Sequence, residues 1–240
     1  MHKPKISKYG EHAISLSWPS KIDPETHEEV ISYEHHLNKI FKNEILETVS
    51  TYHSIVIFLH QKVAVGKSID KIKKIDKTPS ISEKRQRYCW NIPVCYDPDL
   101  GWDLKEVADH NNCTIQEVID RHTNPSYRIY FTGFLPGFLY LGGLNENLIT
   151  PRKKNTRLSV PKGAVAIGGN QTGVYPRESP GGWQIIGQTP VALFDAENVP
   201  PSPFNPGDTI YFQAINRDEF DAISTEVEVG IYKPTKARQK

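Results

Sequence analysis

The chain has 240 residues, 38% of them hydrophobic and 24% charged, and 29 lysines and arginines against 28 aspartates and glutamates leave a formal charge of +1 with the histidines neutral. These values exclude a disordered, collagen-like or coiled-coil chain and give no global pull toward nucleic acid or an anionic membrane. Of 34 glycines and prolines, 6 fall in residues 1–87 and 28 in residues 88–240, so a change of architecture is expected near residue 88.

The first region reads as a small α+β domain over residues 1–76. Ala13-Ile14-Ser15-Leu16-Ser17-Trp18 alternates apolar and polar residues with the period of a half-buried strand. Asp23 followed by Pro24 and Glu25 announces a helix, whose apolar face is Val30, Tyr33, Leu37, Ile40 and Phe41. Residues 45–51 and 54–60 are β-rich, and Ile69, Ile72 and Ile75 mark a second, lysine-rich helix. Residues 77–87 are polar and lack periodicity, as a linker should.

The second region, residues 88–240, opens with a strand over residues 88–96 in which Pro93 predicts an edge position or a bulge. Two short helices follow, each announced by a capping box, Asp103-Leu104-Lys105-Glu106 and Thr114-Ile115-Gln116-Glu117. Beyond Asn124 no helical pattern is apparent. Short apolar runs at residues 127–131, 157–160, 164–167, 183–186, 191–194 and 209–213 predict a mainly antiparallel β-barrel or sandwich.

The basic start has no apolar stretch behind it, so neither a signal peptide nor a membrane span is expected, and Cys89, Cys95 and Cys113 read as reduced thiols of a cytoplasmic protein. No phosphate loop, dinucleotide fingerprint or metal-ligand spacing is found, so no metal site is expected. Ser159 and Ser179 lie outside any nucleophile-elbow motif.

The specific signal lies in three segments. In Gly133-Phe134-Leu135-Pro136-Gly137-Phe138 a strand runs into glycine and proline among aromatics, which suits either a plug for a barrel end or the floor of a ligand cleft. Thr150-Pro151-Arg152 adds a guanidinium. Residues 168–187 carry amide, hydroxyl and ring groups on a glycine-rich backbone, an arrangement hard to explain by packing alone.

These segments, with Gln171-Thr172-Gly173-Val174-Tyr175-Pro176 and Ser179-Pro180-Gly181-Gly182-Trp183, resemble the allophanate hydrolase subunit 1 family, which includes 5-oxoprolinase B subunits and a sporulation-kinase inhibitor. The resemblance implies an N-terminal α+β domain followed by a cyclophilin-like β-barrel. It implies work in a complex with 5-oxoprolinase subunits C and A, which opens 5-oxoproline to glutamate with ATP, and Mg2+ with it, bound either by this chain or by the assembled complex. Binding and inhibition of a sensor histidine kinase is the alternative. A prolyl isomerase reading would rest on fold alone, and fold does not carry function. The family motifs do not assign roles, so these follow from residue chemistry. Arg152 is the candidate fork for a carboxylate or phosphate. Gln171, Tyr175 and Ser179 are candidates to orient a lactam amide or a phosphoryl group by hydrogen bonds. Phe134, Pro136, Gly137, Gly169, Gly182 and Trp183 are candidates for the wall of the substrate cleft. His122 is either an acid–base group or a helix cap.

Overall fold

In a computed structural model, residues 3–75 and 86–239 are described. Of the expected linker, all but Gln86 and Arg87 lies outside them. The chain divides into two compact units, residues 1–85 and 86–240.

In the first unit, strands β1 (Lys5–Tyr9), β2 (Ala13–Ser17), β3 (Ile45–Ser50) and β4 (Ser54–Leu59) form an antiparallel sheet in the order β1-β2-β4-β3, with helices α1 (Pro24–Ile40) and α2 (Val65–Lys73) packed on it. The Asp23 carboxylate accepts from Thr26 N at 3.0 Å and starts α1. Val30, Tyr33, Leu37 and Phe41 pack with Ile14, Leu16, Ile55 and Ile57. Ile40 leaves the expected face: α1 ends there, and the cap residue Phe41 turns into the core while Ile40 is exposed. Strand β1 gave no sequence signal because most of its side chains are exposed and its pairing with β2 is made by backbone.

The second unit is built on β5 (Tyr88–Cys95), α3 (Leu104–His110), α4 (Ile115–Thr123), β6 (Tyr127–Thr132), β7 (Leu139–Gly142), β8 (Arg157–Val160), β9 (Ala164–Gly168), β10 (Gln171–Val174), β11 (Ser179–Gly181), β12 (Gln184–Gln188), β13 (Thr209–Ile215), α5 (Arg217–Glu228) and β14 (Lys236–Arg238). Among the described residues, seven strands close a barrel in the order β12-β9-β10-β7-β6-β13-β5, the Gln188–Cys95 pair joining the ends, and β14 lies along β5. The barrel is mixed rather than mainly antiparallel. β5 and β13 run parallel from Cys89–Thr209 to Cys95–Ile215, and the connection between them is most of the unit. Strand direction across so long a connection leaves no trace in local sequence.

Pro93 has the unpaired side expected of an edge: β13 flanks β5 on one side, and on the other Pro93 falls in a gap between Trp90, paired with β14, and Cys95, paired with β12. Two further expectations are corrected. Residues 191–194 form no strand, though Val191 and Leu193 are buried in the barrel core. Helix α5 lies beyond Asn124; it buries only Phe220, so it shows no apolar stripe, and its signal is the capping box of Asn216 and Glu219.

Alternation along the strands sorts the core into two layers. Leu139, Leu141, Val165, Ile167, Val174 and Ile186 fill the barrel, whereas Phe138, Ala164, Ala166, Tyr175, Trp183 and Ile185 form a separate cluster on the opposite face of the same wall.

Candidate functional site

The outer cluster is aromatic, and glycine makes room for it. Phe138 meets Trp183 and Tyr175 edge to face, with ring centroids 5.7 and 5.0 Å apart, and Tyr140 stacks on Phe131 at 4.2 Å. A Cβ on Gly168 would lie 2.5 Å from the Trp183 indole, and one on Gly173 would lie 2.8 Å from Leu139 O and 3.0 Å from the same indole. The glycines at these positions are therefore what lets Trp183 lie flat against the barrel wall. Over its ring, at 5.4 Å from the centroid, sits the Arg152 guanidinium, which is exposed and has no ion pair among the described residues. Burial raises the Tyr140 phenol above its ordinary pKa, and the Arg152 charge pulls the other way, so the two groups sense one another.

A polar network lies directly beside this cluster. Lys153 N donates to Gly182 O at 2.7 Å, and Gln184 Nε2 donates to Pro151 O at 3.1 Å, so residues 151–153 run alongside residues 182–184. The buried Asp103 carboxylate is the centre of the network. Its Oδ1 accepts from Arg157 Nη2 at 2.6 Å and meets Lys153 Nζ at 2.9 Å, and its Oδ2 accepts from Ile185 N at 2.7 Å. Lys153 Nζ also donates to Glu106 Oε2 at 2.5 Å, and Glu106 Oε1 accepts from Gln184 Nε2 at 3.2 Å. Burial would raise the Asp103 pKa, but the hydrogen bonds from Arg157, Lys153 and Ile185 N outweigh it and hold the carboxyl below its ordinary value. Lys153 is shifted up: burial opposes its charge, and Glu106 and Asp103 overcome that.

Asp103 also helps close the barrel. Its backbone N donates to Ile185 O at 2.8 Å, so one residue satisfies both β12 backbone groups at Ile185. The preceding Gly101 lies so close to this strand that a Cβ would sit 2.5 Å from Ile186 O.

Residues 4–204 match the family model described as carboxyltransferase domain, subdomain C and D. The chain belongs to this family. It is 34% identical over 234 residues to the 5-oxoprolinase B subunit of Bacillus subtilis, covering 92% of this chain and 97% of the relative. It is 36% identical over 207 residues to the 5-oxoprolinase B subunit of Haemophilus influenzae, covering 86% and 96%. These relatives bear out the resemblance carried by the glycine and proline motifs. The urea carboxylase of Kluyveromyces lactis superposes with a TM-score of 0.81 over 98% of this chain and 24% of its own at 17% identity, a likeness of fold alone.

Within this carboxyltransferase-family chain the residues singled out from sequence do not all meet in one place. Arg152, Tyr175, Gly182 and Trp183 meet in the outer cluster, and Gln171 shares that face because the next side chain, Thr172, points into the barrel. Ser179 is buried, and its hydroxyl donates to Pro180 O at 3.3 Å. Gly169 bridges to Thr150 at a turn with φ +69°. Phe134, Pro136 and Gly137 form the loop before β7, where Phe134 has φ +65° and is 62% exposed, yet packs edge to face on Phe138. The structure places His122 elsewhere, inside the barrel. Its Nδ1 is 2.7 Å from Tyr96 OH and its Nε2 is 2.9 Å from Thr172 Oγ1, and the ring stacks on Phe212. Because Thr172 donates to Ala166 O, its hydroxyl accepts from Nε2–H and leaves Nδ1 to accept from Tyr96. Burial pulls the His122 pKa down to about 3, so the ring is neutral, with both nitrogens engaged.

Sequence reasoning missed Asp103, Glu106, Lys153, Arg157 and Gln184. A signal existed in the capping box at Asp103 and Glu106, which does not form: Asp103 makes no side-chain cap bond to α3, and both carboxylates turn to the network instead.

Proposed function

We propose that the chain is the B subunit of a 5-oxoprolinase, which opens 5-oxoproline to L-glutamate with ATP only when assembled with partner subunits C and A. The names of its relatives support the substrate. The observation that carries the reading to residues is the Arg152 guanidinium over Trp183, with no ion pair among the described residues. A carboxylate on a flat five-membered ring suits that pair: the ring lies against the apolar wall and the guanidinium takes the carboxylate. Tyr140 and Gln171 share the outer face with Arg152 and bring polar groups to the rim.

The donor set does not fit a triphosphate. Lys153 and Arg157 are already paired with Asp103 and Glu106, and those two carboxylates would repel a polyanion. The role of this chain is thus to bind and orient the small acid, with the nucleotide held by the partner subunits. Mixing the purified chain with subunits C and A tests the reading: glutamate should form from 5-oxoproline only with all three and ATP. Hydrolysis of ATP without glutamate would remove it.

A further inference from the structure

The first unit holds a cavity of about 200 Å³, bordered by β1, α1 and α2, that the proposed function does not use. Its apolar wall is Ile6 of β1 with Ile72 of α2 and Ile75 just beyond that helix. Ile72 is buried, and Ile6 and Ile75 are half-buried, so the wall belongs to the margin of the core rather than to an open face. Tyr33 of α1 also lines the cavity; it is only 3% exposed, yet its hydroxyl makes no hydrogen bond among the described residues. The ring is held edge to face on Trp18, with centroids 5.3 Å apart, and a phenol buried without a partner calls for one. Lys3 and Lys73 complete the lining, and both are exposed. Among the described residues neither has an ion pair, and no carboxylate borders the cavity.

We propose that this cavity binds a small monocarboxylate with an apolar body, aromatic or branched. The hydrocarbon part lies against the three isoleucines, Lys3 and Lys73 meet the carboxylate, and the Tyr33 hydroxyl donates to it. An apolar cavity of about 150 Å³ admits benzene, so this slightly larger one takes a body of about six carbons. In so small a space one such ligand touches every lining group. Two cations with no neighbouring acid favour an anion over an amine or an alcohol. The isoleucine wall offers no polar group to a second charge, which excludes a dicarboxylate, and none to the hydroxyls of a sugar. The inference goes beyond the proposed function and does not rest on it, since it concerns the first unit alone, whereas Arg152 and Trp183 belong to the second.

The test is a nuclear magnetic resonance titration of the full chain, labelled at isoleucine methyl groups, with benzoate, 4-methylpentanoate, benzyl alcohol and acetate. The two apolar carboxylates should shift the Ile6, Ile72 and Ile75 methyls saturably and leave the isoleucines of the second unit in place. Benzyl alcohol, which lacks the charge, and acetate, which lacks the apolar body, should bind at least about tenfold more weakly. Lys73→Met, on an exposed side chain, should weaken benzoate about threefold, and Tyr33→Phe should do the same or more. Lys105→Met, in the second unit, should change nothing. No saturable shift at those three isoleucines, equal binding of benzyl alcohol, or benzoate affinity unchanged in Lys73→Met would each overturn the proposal. The ligand series on the wild-type chain decides the matter even if Tyr33→Phe fails to fold.

Discussion

Asp103 stands at the N-terminus of α3 and does not cap it; its carboxylate instead takes the Arg157 guanidinium at 2.6 Å, across 54 positions of sequence. That ion pair joins the start of a helix to β8 and, through Ile185 N, to the wall of the barrel. It is both a structural tie and the frame on which Arg157 and Gln184 are oriented.

Replacing Asp103 with Asn should cost about 3 kcal/mol, since a buried pair loses one partner and leaves the other. The pH dependence has a definite sign. The Asp103 pKa is depressed in the folded chain, so its contribution is present above the ordinary carboxyl value and is lost as pH falls through the folded value. The Lys153 pKa is raised, so its contribution holds below the ordinary lysine value and fades as pH climbs through the folded one. Urea titrations should therefore show wild type and Asp103→Asn far apart at neutral pH and converging in acid. A constant gap down to the acid limit would contradict this.

His122 gives a second pH signature. Its folded pKa of about 3 lies below the ordinary 6.5, so between those values the unfolded chain takes up a proton that the folded one refuses. Stability should drop by roughly 1.4 kcal/mol per pH unit from this group as pH falls through the window. Nitrogen chemical shifts at pH 5 should show a neutral ring protonated on Nε2, and His122→Asn should flatten the slope by one proton.

Gly168→Ala should destabilise by roughly 1–3 kcal/mol, because the new Cβ would lie 2.5 Å from the Trp183 indole and force it off the wall. Combining it with Trp183→Leu should recover part of the loss, giving a double-mutant coupling well away from zero. Additive effects would mean that the indole is not what the glycine accommodates.

Arg152→Met should leave thermal stability within about 0.5 kcal/mol, as expected for an exposed side chain with no ion pair among the described residues. In the three-subunit mixture it should raise the KM for 5-oxoproline by tenfold or more. Phe134→Gly relieves a left-handed dihedral while giving up one ring contact, so its stability change should stay within about 1 kcal/mol.

What depends on local periodicity and on motif was legible in the sequence. The Asp23–Pro24 helix start, the strands around Ile14 and Ile57, and the gathering of Arg152, Tyr175 and Trp183 could all be anticipated. What stayed hidden depends on distance in the chain. The parallel pairing of Trp90 with Ile210 leaves no local mark, and α5 hides because its single buried residue makes no stripe. The polar network hid for a related reason. Asp103 and Glu106 have the spacing of a cap, the same signature that Thr114 and Glu117 do use as one, and only the arrival of Arg157 and Lys153 from another part of the chain separates the two.

The most direct measurement is glutamate released from 5-oxoproline by the three-subunit mixture with ATP, comparing wild-type chain, Arg152→Met chain and no chain. Release is expected with wild type, none without the chain, and a loss of at least about tenfold with Arg152→Met at 5-oxoproline below the wild-type KM. Full release with the chain withheld, or with Arg152→Met, would contradict a substrate-binding role for this chain.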